Sequence, residues 1–143
     1  MLDQSTYVVN VEGAVVKDNQ YLLIERAAAD EHASGALAFP GGKVEVKPGV
    51  SDPIEATVRR ELMEEVGIRI GEVEYIRSRT FETDTGSNCL NIVTYCKYTG
   101  GEPWPREPDE VADIVWMTPE EIAVHDEVPD FLKRDVERIE SVR

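Results

Sequence analysis

The sequence predicts an α/β (α+β) fold, a mixed β-sheet sandwiched between helices as an α/β/α sandwich. Three observations predict it. Apolar, β-branched runs at 6–16, 21–26, 68–81 and 87–98 surround one amphipathic helical stretch at 53–66. Two further helical stretches end the chain, so helices are available for both faces of a sheet. The 143 residues are the length of one domain, 1–143, and can bury a real core without disulfide staples.

Each element has a local reason. TYVVNVEGAVV (6–16) reads as a strand, and YLLIER (21–26) follows it across a Lys-Asp-Asn-Gln turn as a hairpin. Residues 27–36 are small and polar and read as a loop, and 37–39 as a short extended piece. PGGKVEVKPGVSDP (40–53) is broken too often by Gly and Pro to be a regular element. A helix is expected from Pro53 to Val66. Asp52 stands at its N-cap, Pro53 at its first position, Glu55 three residues after the cap and Gly67 at its stop. Ile54, Val58, Leu62 and Val66 recur every four residues as its buried stripe. Glu-Thr-Asp-Thr-Gly joins the next two strands. Residues 99–109 hold two Gly and three Pro and read as a loop, 111–117 as a strand, 118–122 as the start of a short helix and 129–140 as a last helix.

Composition excludes several functions. Asp plus Glu outnumber Lys plus Arg by 29 to 15, for a formal charge of −14. That field repels nucleic-acid polymers and anionic membranes. A small anionic substrate stays possible if local cations or a metal receive it. Residues 1–10 have no basic segment or long apolar run of a signal peptide, and nothing approaches the ~18 apolar residues of a membrane span. Cys89 and Cys96 fall on opposite faces of one strand, so they read as two core residues in a reducing, cytoplasmic compartment.

The chemistry concentrates in two runs, Gly41-Gly42-Lys43-Val44-Glu45 and Arg60 to Ile68. Glu61, Glu64 and Glu65 fall within about 100° of helix arc. They repel one another, and they sit at the helix end whose dipole disfavours negative charge. A divalent cation removes that penalty, because Mg²⁺ and Mn²⁺ prefer hard oxygen ligands. The alternative is a solvated acidic face. Glycines at 41 and 42 let backbone approach a phosphate or metal closely, and Glu45 offers a further ligand from the loop. Arg60, four residues before Glu64, is placed to pair with it.

These residues resemble the Nudix hydrolases. The family box runs Gly, five residues, Glu, seven residues, Arg-Glu, an aliphatic residue, any residue, Glu-Glu, any residue, Gly and an aliphatic residue. Arg60 to Ile68 match every specified position of its second half, and Gly42 matches its start. Four extra residues fall in the loop 46–51, and Asp52 stands where the box has its first Glu. Ala38-Phe39-Pro40-Gly41-Gly42 and the late Asp109-Glu110-Val111, Trp116 and Thr118-Pro119-Glu120-Glu121 segment are similar as well.

The resemblance implies hydrolysis of a pyrophosphate linkage in a nucleoside diphosphate derivative. It implies Glu61, Glu64 and Glu65 as ligands for Mg²⁺ or Mn²⁺, with Glu45 and the Gly41 or Gly42 carbonyl as helpers. The general base is Glu61 or Glu65 on the helix, or Glu107 or Glu110 on a later loop, with a solvated acidic loop as the bland reading of the last two. Asp52 is either a helix cap or a metal neighbour, and the cap is expected. Arg26, at the end of the second strand, is a candidate substrate contact. Arg77 and Arg79, alternate residues on one strand face, either meet phosphates or form surface pairs. Trp104 between two prolines either stacks on a base or anchors its loop. Phe39 reads as core, with substrate contact as its second reading. His32 and His125 receive no role. A (d)NTP diphosphatase of the nucleotide-pool cleansing type is the first expectation, and an ADP-ribose or sugar-nucleotide pyrophosphatase the second. An isomerase on the same fold and an inactive nucleotide-binding regulatory module are remote. A homodimer stays open.

Overall fold

A computed structural model describes residues 6–27 and 35–143. The elements in chain order are β1 (Val8–Lys17), β2 (Gln20–Arg26), β3 (Leu37–Ala38), β4 (Gly41–Lys43), α1 (Pro53–Val66), β5 (Arg69–Glu82), β6 (Asn88–Gly100), β7 (Val111–Met117), α2 (Pro119–Val124) and α3 (Asp130–Val142). The strands form a mixed sheet in the order β3-β2-β1-β6-β5, with β4 added on β1 and β7 on β2. β1 and β6 run parallel, with Asn10 opposite Asn91 and Glu12 opposite Val93. The long connection that a parallel pair requires carries α1.

The β1–β2 hairpin follows from its turn residues. Asp18 and Asn19 both take positive φ, which short polar side chains tolerate and which matches the twist of the strands. Val16 pairs with Tyr21 and Lys17 with Gln20. Only part of the expected 27–36 loop can be described, and His32 lies outside the described residues.

Two apolar layers cover the sheet. On one face, α1 packs Val58, Leu62 and Val66 against Val11, Val15, Leu22 and Ile92. On the other, α2 and α3 pack Ile122, Leu132, Val136 and Ile139 against Ala14, Tyr21, Leu23 and Val93. The sandwich expected from the sequence is therefore present. Both cysteines are buried and unbridged.

Two expectations need correction. The glycine-rich segment 40–53 does contain a strand: Gly41 and Gly42 hydrogen-bond along β1 as β4, opposite Glu12 and Val11. A Cβ on Gly41 would come 2.2 Å from the Val11 carbonyl oxygen, so the same glycines that read as breaks permit this close pairing. The second correction is Asp52. It occupies the N-cap position, but with φ 50° and ψ 56° its side chain makes no capping hydrogen bond. The long loop delivers the chain to Pro53 in a left-handed turn, which aims the carboxylate away from the helix amides. Thr118, in extended conformation, does cap α2 and forms a reciprocal capping box with Glu121. Among the described residues no helix is long and apolar enough to cross a membrane.

Candidate active site

The stripe that buries α1 turns its flank, about 100° round the helix, toward the β4 strand in the last two turns. Glu61 and Glu65 lie on that side. The Glu65 carboxylate accepts the Gly41 N–H at 3.2 Å. A Cβ on Gly42 would fall 2.3 Å from the Glu61 carboxyl carbon and 2.6 Å from each of its oxygens. Gly42 is therefore the cradle in which the Glu61 carboxylate sits. The two carboxyls share a hydrogen bond.

Burial dominates the electrostatics. Glu65 is 3% exposed. Burial, then the Glu61 charge and hydrogen bond, push its carboxyl far above the usual range, against weaker help from Arg26 and the Gly41 N–H. Glu61 is also raised, first by burial, although the hydrogen bond from Glu65 and the charge of Arg60 oppose the shift. Two acids this close resist joint ionisation, and a cation between them would relieve that. Glu64, by contrast, is exposed. It adds to the repulsion felt by Glu107, whose carboxyl is raised by partial desolvation and by Glu110 and Glu64.

Arg60 does not take the partner expected for it. Its Nη1 lies 2.9 Å from Glu45 Oε1 and 3.3 Å from Glu61 Oε1, and its Nη2 donates to the Lys43 carbonyl at 3.0 Å. Helical side chains lean toward the N-terminus, so Arg60 reaches back to the 43–45 loop rather than forward to Glu64. It holds Glu45 and Glu61 on the same side of the helix.

These groups line a cleft of about 680 Å³ that also contains Arg26, Asp109 and Glu110. The end of β2 brings Arg26 there, because Arg26 pairs with Val111 and the Ala27 N–H donates to the Glu110 carbonyl. The structure thus brings Arg26, Gly42, Arg60, Glu61 and Glu110 to one cleft, with Glu65 behind them and Glu45 at its edge.

Other candidates lie elsewhere. Arg77 and Arg79 reach Asp135 of α3, at 3.2 and 3.6 Å. Phe39 is 1% exposed and packs against Tyr21 with ring centres 6.4 Å apart, so its substrate-contact reading is dropped. Trp104 lies outside the cleft lining. Its backbone N–H donates to the Val66 carbonyl and its ring lies under Arg106, which places it at the end of α1. Asp52 is exposed and does not line the cleft.

Nothing in the sequence pattern singles out Arg106. Its backbone N–H donates to the Glu65 carbonyl and its Nη1 to the Met63 carbonyl, so the 101–108 loop satisfies the end of α1 and adds the positive charge its last turn lacks. Only the folded position of a loop some 40 residues on reveals this.

The donor set is all oxygen and fits a hard divalent cation. Glu61, Glu65, Glu45 and the Gly41 or Gly42 carbonyl are the groups that would hold one, with Glu64 one turn face away. Among the described residues no three acidic, histidine or cysteine side chains already converge as a metal-binding group. The cluster of three expected on α1 is graded in exposure: Glu65 is buried, Glu61 lines the cleft and Glu64 is exposed.

Comparison with known proteins decides the family. A family model of the NUDIX domain matches residues 7–137. The chain belongs to this family. This Nudix chain is 33% identical over 107 residues to an 8-oxo-dGTP diphosphatase of Escherichia coli strain K12, covering 73% of the chain and 79% of that protein. It is 33% identical over 103 residues to an NAD-capped RNA hydrolase, NudC, of Stutzerimonas stutzeri, covering 72% of the chain and 33% of that protein. A MutT Nudix hydrolase of Burkholderia pseudomallei superposes with a TM-score of 0.77 at 26% identity, over 94% of this chain and 99% of the other. The Nudix chain is a pyrophosphohydrolase by this kinship.

Proposed function

We propose that the chain hydrolyses a (d)NTP to the nucleoside monophosphate and pyrophosphate with Mg²⁺ or Mn²⁺, in the manner of nucleotide-pool cleansing enzymes. The observation that carries this reading is the pair of cleft-lining Glu61 and buried Glu65, cradled by Gly41 and Gly42 at a cleft that also holds Arg26 and Arg60. The diphosphatase kinship supports the substrate class. A bound divalent cation supplies phosphate charge neutralisation and lowers the pKa of water.

The chain's own residues do the rest. Arg26 and Arg60 offset phosphate charge that the −14 chain otherwise repels. Arg60 also fixes Glu61 and Glu45. A carboxylate of the cleft accepts the proton of the attacking water as the water oxygen bonds to phosphorus. The bridging P–O bond breaks, and its electron pair leaves with pyrophosphate. Glu61 and Glu65 are the first choices for that base and Glu110 is the second, since all three lie in or directly behind the cleft.

A panel of nucleoside triphosphates, ADP-ribose and sugar nucleotides with Mg²⁺ tests the substrate, read as pyrophosphate or monophosphate release. Pyrophosphate from triphosphates is expected. Turnover of ADP-ribose or a sugar nucleotide alone overturns the choice. Glu61→Gln and Glu65→Gln are expected to fold and to lose on the order of 10²-fold or more in kcat, while Glu55→Gln changes little. Equal small effects from all three would remove the helix acids from the mechanism.

A further inference from the structure

The cleft does not end at the acidic pair. Beyond Asn10, Arg26 and Lys43, which line both parts, it continues as a groove of about 580 Å³ toward Phe81 and the 83–87 turn. Volumes of this size are those of small-ligand sites. Phe81 is 45% exposed and lines this groove, so its ring offers a face to a ligand. The turn beside it is built rather than loose. The Thr83 N–H donates to the Ser87 carbonyl, the Ser87 N–H to Thr83 Oγ1 and the Gly86 N–H to the Thr83 carbonyl.

The floor between the two parts is a polar ladder across adjacent strands. Asn91 Nδ2 donates to Glu12 Oε1 at 2.7 Å, and Asn10 Nδ2 donates to Asn91 Oδ1 at 2.7 Å. Glu12 and Asn91 are buried, whereas Asn10 is only half-buried and lines the groove. The chain of bonds sets its own direction. Burial raises the Glu12 carboxyl against the Asn91 hydrogen bond and Arg79; with Glu12 ionised its oxygen only accepts, so the Asn91 amide turns its NH₂ to it and its oxygen to Asn10. Asn10 must then turn its NH₂ inward, and its oxygen is left as the acceptor. Among the described residues no donor bonds to that oxygen. Three side chains placed on the sheet by the β1–β6 register thereby set the polarity of the half-buried Asn10 amide.

We propose that the groove from Asn10 to Phe81 receives the nucleobase, and that the Asn10 amide oxygen, aimed by Asn91 and Glu12, selects bases carrying an exocyclic amino group. In this arrangement the phosphates lie toward Gly42 and Arg60, and the base lies against the Phe81 ring. Asn10 touches the base and sets specificity, while Asn91 and Glu12 are positioning residues. The inference rests on the reading of the cleft as a nucleotide site, and it goes further by naming the feature of the base that is recognised.

Calorimetric binding of nucleoside monophosphates tests it without metal or turnover. The probes are pairs that differ by one amino group: GMP with IMP, AMP with purine riboside monophosphate, and CMP with its 4-deamino analogue. The wild type is expected to favour the amino member of at least one pair by about 5- to 10-fold, the value of one hydrogen bond. Asn10→Leu should abolish that ratio, and Asn91→Leu, which removes the acceptor that holds the Asn10 NH₂ inward, should lower it. Phe81→Ala should weaken both members alike, by roughly 5- to 100-fold. Ratios near one in the wild type, a ratio that survives Asn10→Leu, or no binding of any monophosphate at millimolar concentration would each overturn the proposal. Triphosphate hydrolysis with flat ratios sinks this inference alone. A clear ratio without hydrolysis sinks the proposed reaction and leaves the base site standing.

Discussion

Glu65 pays for its position with its charge, and that makes the site sensitive to pH before any substrate arrives. Burial and the Glu61 charge raise its pKa above the ordinary 4.5, and Glu61 is raised as well. An acid whose folded pKa is raised stabilises the fold below its unfolded pKa and loses that contribution as pH climbs. The metal-free chain is therefore expected to lose thermal stability as pH rises above the 4.5 range. Mg²⁺ requires the ionised pair, so its binding should strengthen and release protons over the same window. Melting curves with and without Mg²⁺ at several pH values check this. The rise in Tm caused by Mg²⁺ should saturate with metal and grow with pH. A rise that is the same at every pH would mean that the cation binds away from Glu61 and Glu65. At this scale the sequence was legible wherever spacing on one helix decides who meets whom. It was not legible for the Arg60 partner, because the 43–45 loop competes with Glu64 only once β4 has paired with β1.

The elements show the same division. α1 spans the residues expected from its four-residue stripe, and Gly67 ends it with φ 72°. β4 was hidden because a three-residue glycine strand has no side-chain pattern to read, only backbone room. Asp52 was misjudged for a related reason. Its residue type and place before Pro53 suit a cap, but capping needs an extended backbone, and the longer loop imposes a left-handed one. The position therefore carries the cost of a non-glycine residue at positive φ without the return of a capping bond. Asp52→Gly should leave stability unchanged or raise it by up to about 1 kcal/mol, since the left-handed relief of ~1–2 kcal/mol exceeds the added chain entropy of ~0.5–1 kcal/mol. Urea unfolding measures it. A loss of about 1 kcal/mol or more would show that the carboxylate does cap α1 in solution. Metal dependence of the rate should not shift in this variant.

On the scale of the whole molecule, the two faces of the sheet are held by different means. The α1 layer holds one buried acid, Glu65, on the Gly41 N–H, whereas the α3 layer contains Asp135, only 1% exposed, between Arg77 and Arg79. The Arg79 guanidinium also lies 3.9 Å from the centre of the Phe131 ring. Neither Asp135 oxygen makes an aligned hydrogen bond, so the contact is ionic and burial raises the Asp135 carboxyl despite the two arginines. The alternation of Arg77 and Arg79 along β5 could be read from the sequence, but their partner could not, because α3 returns to β5 only through the complete fold. This geometry separates two roles for Arg77. If it docks α3, Arg77→Ala lowers stability by about 1 kcal/mol, because the arginine is partly exposed and Arg79 still faces the acid. Asp135→Ala costs more, about 2–3 kcal/mol, because it leaves two cations against an apolar layer. In both variants KM for the nucleotide should stay within about twofold, since the Arg77 side chain is engaged on α3 and does not line the cleft. A Tm that holds while KM rises tenfold in Arg77→Ala would reverse the assignment and return Arg77 to the phosphates. Chemical denaturation and steady-state kinetics on the same two variants decide between a residue that binds substrate and one that closes the second layer of the fold.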